Sequence, residues 1–467
     1  MFDAAIISNR VITPEGVKKA AILIKDGKIA DIVNDLPEGN YPVTDVGDNV
    51  VMPGIVDPHV HINEPGRTDW EGFDTATKAA IAGGITTLVE MPLNASPVTT
   101  SAKAFDEKIN ACYNKPGIST KLHCNCGFWG GVIPGNEKEI EPLIEKGVLG
   151  FKAFLTHSGI DEFPNVTEED LRKVMPVIAN FGLPLLVHCE LSEGVESRES
   201  GVRSRESGPD PSMPQDYRVG RSYRKYLASR PKKWEDDAIS LMIRLCEEFN
   251  CRTHIVHLSS ADSLEQIAKA KQKKLPLTVE TAQHYLFFCA EEIQDGQTAF
   301  KCAPPIREHA NKERLWQALK EGIIDFVATD HSPAPPDLKE INSGDFMKAW
   351  GGISSIQFAL PVLWTSAMGH DGSLNDMAKW LCEKPALLPQ LMTKGKIAKG
   401  FDADFVVWNP DKSVIITDDM IHHKHKLTPY LNQQLYGVVE QTWLNGKIVF
   451  AGGKFLHLNK GQILYHE

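Results

Sequence analysis

The sequence predicts an α/β protein: a (β/α)₈ barrel of the TIM type with a small β-sandwich domain built from both chain ends. Two observations lead to this fold class. The middle of the chain alternates apolar strand-like segments with amphipathic helical segments, and eight such strands can be counted. Both ends instead show short strands with alternating polarity and turn signals. We therefore expect residues 52–394 to form the barrel, and residues 1–51 and 395–467 to form the two parts of the β domain.

The terminal segments carry the signature of hairpins. Residues 4–51 include AAILIKDGKIADIV, where Asp26-Gly27 favours a primed two-residue turn. Residues 403–408 and 442–455 show the same pattern of short alternating segments, with Asn445-Gly446 as the turn signal. Two similar β segments that flank a different middle predict one sheet domain assembled from both ends.

The barrel elements follow in order along the chain. An apolar strand followed by a crossover helix is typical of parallel barrels. The predicted strands are 51–61, 85–92, 120–128, 148–155, 183–190, 252–259, 277–286 and 325–332. The predicted helices include 71–82, 137–146, 167–181, 235–248, 261–271 and 310–321. The long insertion 191–231 ends in SYRKYLASRPKKW, which favours an ordered lid.

Composition excludes several classes of function. The chain has 467 residues, 61 of them acidic and 50 basic, so its net charge of -11 disfavours binding to nucleic acid or to an anionic membrane. The N-terminal MFDAAIISNR does not resemble a secretory signal, and no apolar stretch is long enough to span a bilayer. Nine cysteines without framework spacing indicate reduced thiols. These features predict a cytoplasmic protein that acts on a small molecule.

The chemistry-bearing residues lie where the predicted strands end. His59 and His61 are two apart on a strand, so both rings point to the same side and can share one ion. In isolation each of the other residues has an ordinary explanation, such as an ion-paired lysine or a hydrogen-bonded core histidine. Because the carboxyl ends of barrel strands meet at one mouth, their joint placement predicts a metal site. The predicted ligands are His59, His61, Lys152, His188, His257 and Asp330.

Four histidines and one carboxylate can hold two divalent ions, but ions so close also need a bridging anion. A protonated Lys152 cannot be this anion, because it carries a positive charge. Once desolvated, its free amine could take up carbon dioxide and become a carbamate, which is an anionic bridge. Histidine and carboxylate ligands suit zinc, with cobalt, manganese or iron as alternatives.

Other histidines and thiols are not expected to bind metal. His331 follows Asp330 on the strand and should point to the opposite side. His284 is not counted, and the run 422–425 (HHKH) is predicted to be a solvated turn. Cys124 and Cys126 are predicted to be small buried thiols.

Five motifs together resemble the cyclic amidohydrolases of the amidohydrolase superfamily. They are PGxxDxHxH at 53–61, GFK at 150–152, LVHCE around His188, IVHLS around His257 and ATDHSP at 328–333. The resemblance covers essentially the whole chain. It implies that His59, His61 and Asp330 bind one ion and that His188 and His257 bind the other, with carboxylated Lys152 and a hydroxide as bridges. It also implies that the bridging hydroxide attacks the substrate and that Asp330 acts as general base and then as general acid, although Asp330 could instead be only a structural ligand.

Three branches of this group need to be separated: allantoinases, dihydroorotases and dihydropyrimidinases. Dihydroorotases place an arginine two positions after the second histidine, where it pairs with the substrate carboxylate. This chain has the neutral Asn63 there, which suits an uncharged substrate. The stretches HVHINEPGRTDWEGF, SGIDEFPNV and YLASRPKKWE resemble the allantoinase branch. This resemblance implies hydrolysis of the cyclic amide of allantoin, or of a similar cyclic ureide, to allantoate. The alternatives are a dihydropyrimidinase or hydantoinase, and a catalytically inactive scaffold relative.

The resemblance also implies a set of substrate contacts and an assembly. Most such contacts in relatives could be made by backbone atoms, and Cys302 could equally be inert packing. Relatives are often tetramers, so the resemblance implies a homo-oligomer. The predicted substrate-binding residues are Asn63, Asn94, Cys302, Ala303, Gly351 and Gly352.

Overall fold

The central feature of the computed structural model, which describes residues 2–115, 119–192 and 220–466, is a barrel of eight parallel strands. Val60 pairs in parallel with His331, so the first and last strands are neighbours and the barrel closes. The third strand reaches the fourth through the short extension Gly130–Gly131. The barrel strands are Ile55–Val60, Ile85–Glu90, Asn125–Phe128, Phe151–Phe154, Leu185–His188, Thr253–Ile255, Leu277–Ala282 and Phe326–Ala328.

The helices cover the outside of the barrel and bury one apolar stripe each. In Glu168–Asn180, for example, Thr167 and Asp170 form a capping box, and Leu171 and Ile178 are buried. No helix within the described residues is both long enough and apolar enough to cross a membrane. The α-helices are Phe73–Ala82, Ala102–Ala111, Ile140–Glu145, Glu168–Asn180, Tyr223–Ser229, Lys232–Phe249, Leu264–Gln272, Gln283–Phe287, His309–Glu321, Ala359–Met368, Leu374–Ala378 and Lys384–Leu387.

A nine-stranded sheet joins the two ends of the chain. Phe405–Ile415 pairs antiparallel with Val50–Pro53, which in turn pairs in parallel with Ala4–Thr13. The primed hairpin turns are confirmed by positive φ angles at Asp26 and Gly27 (51° and 72°), and equally at Asn445-Gly446 (49° and 74°). The other strands are Gly16–Lys25, Lys28–Val33, Val43–Asp45, Gln434–Leu444, Lys447–Ala451 and Lys454–Phe455. The predicted barrel with a β-sandwich domain from both chain ends is thereby confirmed.

All eight barrel strands are shorter than predicted, and two of the predicted segments change element along their length. The segment 51–61 divides at Gly54 into Val50–Pro53 in the terminal sheet and Ile55–Val60 in the barrel. A side chain at Gly54 would lie 2.1 Å from Thr86 Oγ1, so the break needs a glycine. The segment 277–286 ends as a strand at Ala282 and continues as a helix. Most of the insertion predicted as a lid, residues 193–219, lies outside the described residues.

Candidate active site

The closure of the barrel brings His59, His61 and Asp330 together. Their ligand atoms all lie within 4.8 Å of one another, and all three residues are buried. Asp330 Oδ1 is 3.2 Å from His59 Nε2 and 3.8 Å from His61 Nε2. Asp330 has a φ of 46°, a left-handed conformation that is uncommon for a residue other than glycine and often marks a functional site.

The remaining predicted ligands continue from this group around the barrel mouth. The ring of His257 lies 5.4 Å from that of His59 and 4.6 Å from that of His188, centroid to centroid. Phe154 stacks on His188 at 4.6 Å, and the amine of Lys152 lies 5.0 Å from the Phe154 ring centroid. The four histidines, the lysine and the aspartate therefore form one continuous buried cluster.

Two polar atoms in this cluster are buried without a hydrogen-bond partner among the described residues: Lys152 Nζ and His257 Nδ1. Buried polar atoms without partners are rare, because each loses its hydration without compensation. Burial also lowers the pKa of Lys152 to about 7, which makes the free amine accessible near neutral pH. The cluster thus offers unused donor atoms of the kind that divalent ions bind.

Burial also prepares the histidines for this role. It lowers the pKa of His188 to about 4 and holds the pKa values of His61 and His257 well below the usual range. The imidazoles of these three residues are therefore neutral at pH 7, as metal ligation requires. Burial raises the pKa of Asp330 to about 6. The residues present fit a centre of divalent ions.

Polar side chains orient the rings from outside the cluster. Glu190 accepts a hydrogen bond of 2.8 Å from His188 Nε2 and is itself paired with Arg230. Asn94 Nδ2 lies 3.3 Å from His61 Nδ1. Contacts of this kind fix the orientation and tautomer of a ligand histidine.

The carboxylate of Asp57 links the first barrel strand to the eighth. Asp57 accepts hydrogen bonds from the backbone of His59 (3.2 Å) and of Thr329 (3.3 Å), as well as from the Thr329 hydroxyl. Because Thr329 precedes Asp330, Asp57 fixes the first and eighth strands relative to each other. The distances within the His59, His61 and Asp330 group depend on this link.

The cluster opens into a cavity of about 490 Å³. His59, His61, His188, His257 and Asp330 form its floor. Its walls come from the loops after the strands and include aromatic side chains such as Tyr226, Trp234 and Trp350. A cavity of this size is suited to a small molecule.

A sequence model described as "Amidohydrolase family" matches residues 50–449. The chain belongs to the amidohydrolase family. It is a hydrolase. Similar proteins match it over 96–100% of its length. It is 45% identical to allantoinase from Streptomyces avermitilis over 100% of both chains, and 41% identical to allantoinase from Arabidopsis thaliana over 96% of this chain and 88% of the relative. It is 38% identical to allantoinase from Saccharomyces cerevisiae, covering 96% of this chain and 95% of the relative.

Solved structures superpose on this amidohydrolase along nearly its whole chain. L-Hydantoinase (dihydropyrimidinase) from Arthrobacter aurescens superposes with a TM-score of 0.87 at 29% identity, covering 100% of both chains. Dihydropyrimidinase from Brevibacillus agri NCHU1002 gives a TM-score of 0.85 at 25% identity, covering 99% of this chain and 98% of the other. The chain thus shares one architecture with enzymes of the cyclic amidohydrolase group.

Among the predicted substrate-binding residues of this amidohydrolase, Asn94, Ala303, Gly351 and Gly352 line the cavity. The other two lie behind its wall. The Asn63 amide donates a 3.1 Å hydrogen bond to the Asn94 carbonyl, and Asn63 has a φ of 68°. Cys302 is buried, and its carbonyl accepts a 2.6 Å hydrogen bond from Tyr226.

The histidines that are not predicted to bind metal lie outside the group of His59, His61 and Asp330. His331 Nδ1 accepts a 3.0 Å hydrogen bond from the backbone of Ser355. The prediction of a solvated turn at 422–425 is wrong for His423, which is fully buried with its ring 5.8 Å from His331. The backbone of Lys424 bonds to the buried carboxylate of Glu71, which draws the run against the barrel. A run of polar and charged residues is predicted to be exposed when the element that covers it is distant in the sequence.

Sequence reasoning missed the carboxylates that hold the ligands of this amidohydrolase. Glu190 could have been found, because it stands two residues after His188 and can reach the same ring. Glu280 carried a different signal, because it is a carboxylate within the otherwise uncharged strand Leu277–Ala282. Asp57 had a similar signal, because it stands two residues before His59. Arg230 had none, since its partner Glu190 is distant in the sequence.

Proposed function

We propose that this chain hydrolyses the cyclic amide bond of allantoin to give allantoate. The observation that carries the chemistry is the group of His59, His61 and Asp330 at the floor of one cavity, with the buried, unpartnered Lys152 amine in the same cluster. The substrate is inferred from relatives named allantoinase that are 36–45% identical to the chain. Both lines of support point to a small uncharged cyclic ureide.

The proposed centre holds two divalent ions, zinc in the first instance, with cobalt, manganese or iron as alternatives. When bound, such ions supply Lewis acidity, which lowers the pKa of water and polarises the substrate carbonyl. In this proposal His59, His61 and Asp330 hold one ion, and His188 and His257 hold the other. Lys152 would contribute a further ligand as a carbamate anion, which forms when its amine makes an N–C bond to carbon dioxide and loses a proton.

Asp330 is the proposed general base and acid. Its carboxylate takes the proton of the attacking hydroxide as the new C–O bond forms at the ring carbonyl. It then delivers that proton to the ring nitrogen as the C–N bond breaks, so that a carboxylate and a neutral N–H group are produced.

Two positions near the cavity disfavour recognition of a substrate carboxylate by a guanidinium, while Lys301 and Lys348 also line the cavity. Arg230 lines the cavity, but its guanidinium is paired with Glu190. Asn63 supplies a neutral amide at the position where a dihydroorotase would have an arginine. A substrate carboxylate would therefore lack a free guanidinium to bind at these two positions.

A dihydropyrimidinase or hydantoinase is the second candidate function, since solved structures with these names share the fold. An inactive scaffold is the third candidate, but it does not explain why all six predicted ligand residues are present. The zinc-loaded protein should be offered allantoin, dihydrouracil and hydantoin separately, with ring opening followed for each. We expect the highest kcat/KM with allantoin. Faster opening of dihydrouracil would favour the second candidate, and no turnover of any substrate would favour the third.

The proposal includes the setting in which the enzyme works. Assembly as a homo-oligomer, a tetramer in the first instance, is inferred from the family resemblance. Location in the cytoplasm is inferred from the cysteine usage.

A further inference from the structure

Glu280 is a charged residue in the wall of the barrel. It lies within the seventh barrel strand, Leu277–Ala282, and is fully buried, as are Val279 and Ala282 on the same strand. A buried carboxylate costs several kcal/mol unless it is hydrogen-bonded on its accepting lone pairs. The contacts of Glu280 therefore indicate why the strand carries it.

The two oxygens of Glu280 accept hydrogen bonds from both sides. Oε1 accepts from His59 Nδ1 and, at 3.3 Å, from the backbone N–H of His257. Oε2 accepts from His254 Nε2 at 3.2 Å, and His254 Nδ1 in turn accepts from Thr278 Oγ1 at 2.8 Å. The carboxylate is thus tied to His59, to the backbone of His257 and to a buried histidine.

These bonds determine the tautomer of His59. An ionised carboxylate can only accept, so the ring proton of His59 must be on Nδ1. Its Nε2 then presents a lone pair toward Asp330, 3.2 Å away. Without Glu280 the proton could move to Nε2, which would remove that nitrogen as a ligand.

The same oxygen holds His257 in an uncommon conformation. His257 has a φ of 38°, in the left-handed region, where a residue with a side chain is strained. The hydrogen bond from its backbone N–H to Glu280 helps to hold this conformation. Its ring, which contacts both His59 and His188, is thereby directed into the cluster.

We propose that Glu280 is a positioning residue that holds one ligand of each proposed ion, His59 and His257, in its binding orientation. This inference rests on the proposed function, because it takes both histidines to be ligands. Glu190 serves as a contrast. Its recorded hydrogen bonds reach one ligand ring, that of His188, and the guanidinium of Arg230. Loss of Glu280 should therefore weaken both ion sites together.

The test is Glu280→Gln, which keeps the volume but replaces one accepting oxygen with a donating amide. An amide accepts only through its oxygen and carries no negative charge, so His59 either loses its acceptor or keeps a weaker, neutral one. We expect the affinity for zinc to fall about 10- to 100-fold. Zinc per chain is measured by mass spectrometry after dialysis against graded chelator, with no substrate present. We further expect ring-opening activity to return when excess zinc is added.

Glu235→Gln is the matched control. Glu235 is equally buried and accepts from the backbone of Ser259 (3.0 Å) and Ser260 (2.9 Å) and from Arg307, but it contacts no proposed ligand. We expect this variant to be less stable to heat and yet to retain zinc as the parent enzyme does. Equal loss of zinc in both variants would overturn the proposal, because burial alone would then explain it.

Normal zinc retention in Glu280→Gln would also overturn the proposal. If that variant does not fold, Glu280→Asp decides, because it keeps the charge but shortens the side chain by one methylene, which draws the carboxylate back from His59 and from the backbone of His257. We expect about 10-fold weaker zinc binding for it, and parent-like binding would contradict the inference. Since zinc is measured without substrate, failure of the enzyme to open allantoin would count against the proposed function and not against this role of Glu280.

Discussion

Lys152 is the residue on which the proposed centre depends most. It is fully buried, and its amine has no hydrogen-bond partner in the part of the chain that the structure describes. An ammonium at this position would repel two cations, whereas a carbamate would attract both. One covalent change therefore converts an unfavourable charge into a bridging ligand.

The first prediction at this scale concerns Lys152→Ala. We expect kcat/KM for ring opening to fall on the order of 100-fold or more, because both proposed ions lose a shared ligand. Acetate or propionate should restore part of the activity by entering the space that the side chain leaves. Lys146→Ala, which removes an exposed lysine paired with Asp106, is the control and should be fully active. Full activity of Lys152→Ala would refute the bridging role.

At the scale of elements, the loop that carries Gly351 and Gly352 is packed against the end of the eighth strand. Gly352 donates a 2.9 Å hydrogen bond to the carbonyl of Lys301, and Ser332 donates one of 2.9 Å to Ile353. An added Cβ at Gly352 would lie 2.4 Å from the Ser332 carbonyl oxygen, which is too close. At Gly351 the nearest atom would be 3.6 Å away, an ordinary contact.

This difference makes the two glycines a matched pair. We expect Gly352→Ala to destabilise the protein by about 1–3 kcal/mol, because the loop must move away from Ser332. A shift of the loop beside Asp330 should also lower kcat/KM about 10- to 100-fold. Gly351→Ala should unfold at the temperature of the parent in a calorimetric scan. Equal stability of the two variants would show that the loop is not held in this way.

Local patterns were sufficient to predict most elements, and their limits have physical causes. Alternation and strand-end chemistry identified the barrel strands and the positions of His59, His61 and Asp330. They did not reveal that Gly54 separates a sheet strand from a barrel strand, because the close approach to Thr86 is a tertiary contact. The burial of His423 beside His331 was hidden for the same reason.

At the scale of the whole molecule, buried charge ties the barrel to the terminal sheet. Lys394, near the end of the barrel region, is paired with Asp404 (2.7 Å) and Asp402 (2.8 Å). Asp404 also accepts a 2.7 Å hydrogen bond from the backbone of Asn445, in a hairpin of the sheet. Lys396 is exposed and paired with Glu383 at 3.0 Å.

The prediction at this scale compares these two lysines. Lys394→Met should lower the free energy of unfolding by about 3–5 kcal/mol, because two largely buried carboxylates lose their common cation. Lys396→Met should lower it by less than about 1 kcal/mol, since its pair is screened by water. Denaturant titration measures both values. Similar losses would show that burial of the Lys394 group does not decide the stability of this junction.

The pairing of Val60 with His331 has a consequence for how the protein is made. The site needs the first and the eighth strand together, and the hydrogen bond from Thr329 to Asp57 spans 272 positions. On the ribosome, the strand that bears His59 emerges long before Asp330 is synthesised. The edge of this first strand and its histidines therefore stay unpaired until the eighth strand is made. A topology with so many contacts between distant parts of the chain folds slowly. Metal loading should accordingly follow completion of the chain, and the nascent first half should depend on chaperones to avoid aggregation.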